Sequence, residues 1–469
     1  LLLNDIESFS QCEPTLTRIH DALAQPYIIN DVPHKITASS GITLYPSDNG
    51  DIDTLLRHAD QAMYQAKLEG KHRYHLFSPE SDQRTIQKHH KLEEIEHALE
   101  NGEFQLYYQP KVNMVTGEVF GVEALIRWIH PKKGLIPPLN FLPIVEDTEL
   151  EIKIGGWVIN QALEQLEVWH TLNIKPEVSV NISSHHLVSA HFLEQLDAAL
   201  SAHPSVDSQC LQLEILESSA LGDLNAIGHI IQTCQSALGL SVALDDFGTG
   251  YSSLTHLRSL TADTVKIDQS FVRDMLDDPN DYNIIDGVIG LADAFNRDVI
   301  AEGVETTEHG LMLLVMGCEH AQGYGIAKPM PADDFPRWLS DYTPNKEWLH
   351  CGNKHRNEKE SKVMLFQLTT EQWKNKFVAS IQAPPENVEQ WPMMNAKHCH
   401  CGAWIKRAKQ APLFENEKLE SLEQAHKQAH SMANELLLKY QQNDIESARE
   451  GLLAFQAIID DMNHTLELL

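Results

Sequence analysis

Long apolar runs are missing from this sequence. No stretch is long enough to span a membrane, and neither an initiating Met, a signal peptide nor a stop-transfer pattern opens it. Leu1-Leu2-Leu3 starts like the inside of a strand, so the chain reads as a fragment of something longer, with any anchor or sensor upstream. Basic residues are scarce as well. There are 36 Lys and Arg against 67 Asp and Glu, a formal charge of -31. That argues against a polynucleotide surface, which needs clustered cations. A small phosphate ligand stays open, because metal ions can supply positive charge. The seven cysteines (Cys12, Cys210, Cys234, Cys318, Cys351, Cys399, Cys401) form no disulfide framework. This suits a reducing cytoplasm, the expected location. Only Cys399 and Cys401 stand close enough together to suggest chemistry.

What is present falls into five stretches. Residues 1–80 read as a short α/β piece, with a strand at Lys35–Thr43 and a helix over Ile52–Leu68 whose Leu55, Leu56, Ala59, Ala62, Met63 and Ala66 fall at helical spacing. A polar linker helix covers 81–101. Residues 102–342 alternate short apolar strands with helical stretches, the size and rhythm of an α/β fold of the (β/α)8-barrel type. A doubly wound open sheet is the alternative, but no Gly-rich dinucleotide loop follows the first strand. Residues 343–362 are polar and look like a linker. Residues 363–469 read as an α-helical bundle, with long amphipathic runs at Leu419–Tyr440 and Ile445–Leu468.

Catalytic groups of such barrels come from the C-terminal ends of several strands. Those ends read Glu123, Asn181, Glu214, Asp245 with Asp246, Lys266, Glu302 and Gln322. The run Leu244-Asp245-Asp246-Phe247-Gly248-Thr249-Gly250-Tyr251-Ser252-Ser253-Leu254 is the most telling. Adjacent carboxylates at a strand end repel unless a cation lies between them, and so many buried charges make no sense as a packed core. Oxygen-only donors favour Mg2+ or Mn2+ over zinc. Two such ions can clamp a phosphodiester and ready a water for in-line attack.

These residues resemble the EAL family of bacterial cyclic di-GMP phosphodiesterases over about 85–340. The resemblance rests on Glu123-Ala124-Leu125, Asn181-Ile182-Ser183, Glu214 to Ser218, Asp245 to Leu254, Val265 to Asp268, Ala301 to Glu305, Gln322-Gly323-Tyr324 and Lys328 to Pro331. It implies hydrolysis of cyclic di-GMP to linear pGpG. The implied metal ligands are Glu123, Asn181, Glu214, Asp245, Asp246 and Glu302. Lys266 would position the attacking water, with Glu302, Glu123 and Asp246 also in the catalytic set. Gln109, Arg127 and Gln322 would face the ligand, and Glu217 would steady the Asp-Phe-Gly-Thr-Gly loop. Leu216 stands where the family usually has Thr. A binding protein without turnover is the competing class, although every catalytic position is filled.

Ser40-Gly41-Ile42, Ala59 to Lys67 and Gly70-Lys71 resemble the second half of a GGDEF diguanylate cyclase domain, whose signature hairpin would precede Leu1. A bifunctional cyclase and phosphodiesterase in an uncut protein is therefore a further alternative. Cys399-His400-Cys401-Gly402-Ala403-Trp404, followed by His426 and His430, suggests a zinc site, since two His four apart share one helix face. Residues 365–469 resemble the chemoreceptor zinc-binding domain, which implies Zn2+ on Cys399, His426 and His430. That family's remaining His would fall at Thr370. The fourth ligand would then be missing, or supplied by His398, His400, Cys401 or water. A homodimer and zinc control of the barrel through dimer geometry are expected. His89-His90 and His185-His186 lack ligand spacing and read as solvated.

Overall fold

The computed structural model describes residues 1–469 except 5, 7, 30, 31, 35, 69–71, 218–223, 250–253, 355, 356, 389, 411 and 412. Ser218, Lys35, Gly70-Lys71 and the Gly250–Ser253 part of the acidic loop motif therefore lie outside the described residues. The chain separates into two compact units, residues 1–103 with 139–145, and residues 104–138 with 146–469.

In the first unit, strands Ser40–Ile42 and Tyr74–Leu76 pair in parallel, with helix Ile52–Leu68 between them in the chain. Ala62 and Ala66 are fully buried. A side-chain carbon on Gly41 would lie 1.9 Å from the carbonyl oxygen of Ala59, so only glycine lets the strand sit this close to the helix. Three readings need correction. Leu56 is 66 % exposed and faces away from that contact. The strand is shorter than Lys35–Thr43. Leu1–Leu3 lies in no strand, and Leu1 and Leu2 are exposed, with no neighbouring strand to pair them among the described residues. The polar helix starts earlier than expected and runs Pro79–Glu100, because Pro is favourable in a first helical turn.

The second unit holds a closed eight-stranded barrel: β1 (Phe104–Asn113), β2 (Val119–His130), β3 (Glu177–Ile182), β4 (Leu211–Leu216), β5 (Ser241–Phe247), β6 (Thr264–Ile267), β7 (Asp298–Ala301) and β8 (His320–Gln322). β2 to β8 are parallel, while β1 runs antiparallel to both β2 and β8. The turn 114–118 is too short for a crossover, which forces the reversal. Helices such as Glu149–Thr171, Pro279–Ala294 and Thr307–Met316 make the other connections. Toward the opposite end from the acidic loops, the buried Lys111 ammonium donates to Glu177 Oε1 (3.0 Å), Ser179 Oγ (2.5 Å) and Gln212 Oε1 (3.3 Å). That network closes the barrel floor.

The pair His185-His186 is not uniformly solvated. His186 is 1 % exposed and packs on Phe192. Burial, and to a lesser degree His185, pushes its pKa down to about 4.

The stretch read as a linker contains helix Lys346–Gly352, whose Trp348 is buried and donates from Nε1 to the carbonyl of Thr307 (2.8 Å). The tail helices are α1 (Glu358–Gln382), α2 (His400–Ala408), α3 (Asn416–Gln441) and α4 (Leu452–Glu467). The predicted run Ile445–Leu468 divides at Gly451 into Ile445–Glu450 and α4. Tail and barrel touch directly. Lys376 pairs with Asp277 (2.7 Å), Arg407 donates to Asn283 Oδ1 (2.6 Å), and the ring of His400 meets that of Tyr282 edge-on.

Candidate active site and a candidate metal pocket

Lys266 is the next-to-last residue of β6 and has no exposed surface. Its ammonium lies 2.6 Å from Glu302 Oε1, 2.8 Å from Glu214 Oε2, 3.1 Å from Asp245 Oδ1 and 3.5 Å from Glu123 Oε2. Strand register explains the convergence: Asn181 stands beside Glu214, and Gln109 opposite Glu123. Asn181 Nδ2 donates to Glu123 Oε1 (2.8 Å), and Gln322 Nε2 to Glu123 Oε2 (2.6 Å) and Gln109 Oε1 (3.1 Å). Gln109 in turn donates to the carbonyl of Ala327 (3.0 Å).

One cation does not balance this set. Burial would raise Glu123, but Lys266 and the two amide donors hold it below the usual carboxylate range. Among the described residues no amide donates to Glu214. Burial, with Glu123 and Asp245 beside it and against the pull of Lys266, pushes it up to about 8. Its Oε1 is buried without a hydrogen-bond partner, a costly state for a carboxylate oxygen. Burial also drives Glu302 well above its ordinary value, against the pull of Lys266. Asp246, at φ +54°, is raised to about 7 by burial, by Asp245 and by a hydrogen bond with Asp268.

Oxygens of Glu123, Glu214 and Asp245 lie within 4.8 Å of one another, and so do oxygens of Asp245, Asp246 and Glu302. Asp245 belongs to both groups. An all-oxygen set with an orphaned buried carboxylate oxygen fits hard divalent cations.

Glu217, 4 % exposed, accepts from the backbone N–H of Gly248 (3.1 Å), which sits at φ +103°. Arg127 lies outside the carboxylate cluster. It donates to the carbonyl of Ile126 (2.9 Å) and covers the ring of Tyr107 at 5.6 Å. Sequence reasoning assigned no part to Asp268, which both touches Asp246 and caps helix Gln269–Asp274. An Asp between a strand and a helix carries the signal of an N-cap, and that hides its second contact.

Residues 92–329 match the EAL domain family, which covers more than half of the chain. The chain belongs to the EAL-domain family. Residues 1–73 match the diguanylate cyclase GGDEF domain. The chain is 38% identical over 312 residues to the bifunctional diguanylate cyclase/cyclic di-GMP phosphodiesterase MucR of Pseudomonas aeruginosa, across 66% of this chain and 45% of that protein. To the cyclic di-GMP phosphodiesterase PdeR of Escherichia coli it is 37% identical over 342 residues, across 73% and 51%. It thus spans about half the length of these relatives. The PaMucR phosphodiesterase in complex with c-di-GMP aligns with a TM-score of 0.50 at 38% identity, over 52% of this chain and 99% of that one. The EAL enzyme Bd1971, in its cAMP- and cyclic di-GMP-bound form, aligns at 0.52 and 31%, over 62% and 77%.

A second cluster lies beyond the EAL barrel. Donor atoms of Cys399, His426 and His430 fall within 4.8 Å of one another, and all three residues are buried. Cys399 Sγ is 3.2 Å from His426 Nε2 and accepts from the N–H of Gly402 (3.3 Å). His430 Nδ1 bonds the carbonyl of Met394 (2.9 Å), which leaves its other nitrogen for a ligand. Burial pushes the Cys399 thiol up to about 12 and the His426 imidazole down to about 3. The residues border a cavity of about 20 Å3, room for one small ion or water. Thr370, Cys401 and the barrel's Leu276 and Asp277 also border it. A thiol and two imidazoles suit zinc. The Thr370 hydroxyl meets Cys401 Sγ at 3.2 Å.

Proposed function

We propose that the EAL barrel hydrolyses one phosphodiester bond of cyclic di-GMP to give linear pGpG. The observation that carries this is the carboxylate set gathered on Lys266, with the buried Glu214 oxygen left unpartnered. Glu123, Asn181, Glu214, Asp245, Asp246 and Glu302 would hold two Mg2+ or Mn2+ ions. Bound there, the ions supply charge to a phosphate and acidify a water. A water oxygen bonds to phosphorus, the bond from phosphorus to a ribose 3′ oxygen breaks, and a proton ends on that oxygen. Lys266 would hold the attacking water in place and Glu302 would accept its proton, with Glu123 and Asp246 beside them in the catalytic set. Gln109, Gln322 and Arg127 orient the dinucleotide.

The test incubates the protein and Glu123→Ala with cyclic di-GMP and Mg2+ or Mn2+, following pGpG by chromatography. Metal-dependent product that vanishes in the variant is expected. Tight binding without product would place the barrel among binding proteins instead.

The tail pocket is read as a Zn2+ site of Cys399, His426 and His430 that tunes the barrel. In support, the barrel's Leu276 and Asp277 form part of its wall. If His426→Ala/His430→Ala hydrolyses cyclic di-GMP at the unchanged rate with and without zinc, the tuning is rejected.

A further inference from the structure

We propose that Cys401 is the fourth ligand of the tail pocket, which makes it a Cys2His2 site of Cys399, Cys401, His426 and His430. The inference rests on reading the pocket as a zinc site, and it names the group that completes it.

Structural zinc is four-coordinate and tetrahedral, and three donors already converge here. The neighbours that could supply a fourth differ in chemistry. Asp277 is engaged by Lys376 at 2.7 Å. His400 packs its ring edge-on against Tyr282 of the barrel; its buried Nε2 has no hydrogen-bond partner, which makes it the rival donor, but as a neutral imidazole it would leave the site cationic. Thr370 offers a neutral hydroxyl, a poor zinc donor. Cys401 is 5 % exposed and borders the same cavity. Among the described residues its sulfur meets the hydroxyls of Thr369 and Thr370, at 3.4 and 3.2 Å, and more loosely the carbonyl of Phe366 at 4.0 Å. Such contacts are weak for a thiol and cost little to give up. Its sulfur stands outside the group of three donors that already lie within 4.8 Å of one another, so metal binding would have to turn it toward them.

Charge argues the same way. One thiolate and two neutral imidazoles leave a buried Zn2+ with a net charge of +1, and burying an uncompensated charge is expensive. A second thiolate brings the site to neutrality. Both sulfurs sit in the opening turn of α2, Cys399 as its N-cap, where the backbone N–H groups favour negative charge. The small Thr370 leaves its place on α1 without a metal donor, and Cys401 of α2 occupies the adjoining space.

The full chain is stripped of metal, reloaded with one equivalent of zinc and measured by X-ray absorption at the zinc edge. The expected shell is two sulfurs at about 2.3 Å and two nitrogens at about 2.0–2.1 Å. With cobalt in place of zinc, Cys401→Ser should lose about half of the sulfur-to-metal charge-transfer intensity. It should also bind zinc more weakly by over the roughly 10–100-fold that loss of a supporting contact costs. Adding Thr370→His to that variant should restore retention with one sulfur and three nitrogens. A single sulfur in the native shell, or a cobalt spectrum unchanged by Cys401→Ser, would overturn the assignment and leave a three-ligand site standing. A native chain that retains no zinc would overturn the zinc reading itself.

Discussion

Glu217 accepts a hydrogen bond from the backbone N–H of Gly248 in the loop that follows Asp245 and Asp246, and its proposed part is to steady that loop. Glu217→Ala should lower kcat and the Mg2+ affinity by about 10–100-fold, the usual cost of losing a supporting contact, while KM changes less. Glu217→Gln keeps an oxygen that can accept and should recover most of that loss. Equal kinetics for Ala and Gln would show that the contact does not matter. At this scale the sequence was informative wherever an acidic or amide residue ended a strand, because strand period and barrel geometry then dictate the mouth. It was silent on Asp268, whose capping pattern masks its bond to Asp246, and on His186, whose burial depends on Gly155 of another helix. A side-chain carbon on Gly155 would sit 2.2 Å from His186 Nδ1.

Helix Lys346–Gly352 shows what composition alone conceals. Its polar neighbours suggested a linker, yet Trp348 lies against the barrel helix Thr307–Met316, so close to Gly310 that a side-chain carbon there would come within 2.3 Å of the indole. Trp348→Ala should cost about 3–5 kcal/mol, read as an earlier guanidinium unfolding transition of the second unit. A midpoint equal to the native one would mean the indole is replaceable. The reversal of β1 was equally hidden. Its apolar alternation is the same in either direction, and only the brevity of turn 114–118 dictates it. Element types in the barrel were legible because each strand and helix keeps its own hydrophobic period. Leu56 was misplaced by the same reasoning, since a run of apolar residues around a helix does not say which one faces outward.

For the molecule as a whole, pH should act on the metal-free barrel in a defined direction. Glu214 and Asp246 are raised from ordinary carboxylate values near 4 to about 8 and about 7. The folded protein therefore keeps protons that the unfolded chain releases. Their stabilising contribution is full below pH ~4 and is lost as pH rises through those folded values. Buried His186, His400 and His426 act the opposite way below about 6.5, being held neutral when folded. The clean window is consequently pH 6.5–8.5, where metal-free protein should melt at progressively lower temperature. Saturating Mg2+ should flatten that trend, because binding displaces the same protons. A metal-free melting temperature that is constant or rises across the window would contradict the protonated mouth. The lysine floor built on Lys111, Glu177, Ser179 and Gln212 has its own kinetic meaning. A barrel stoppered at one end is a cul-de-sac. If the proposed hydrolysis takes place there, its product must back out through the doorway its precursor used, and the next arrival waits until that doorway clears. Added product should accordingly raise the apparent KM and leave the limiting rate untouched.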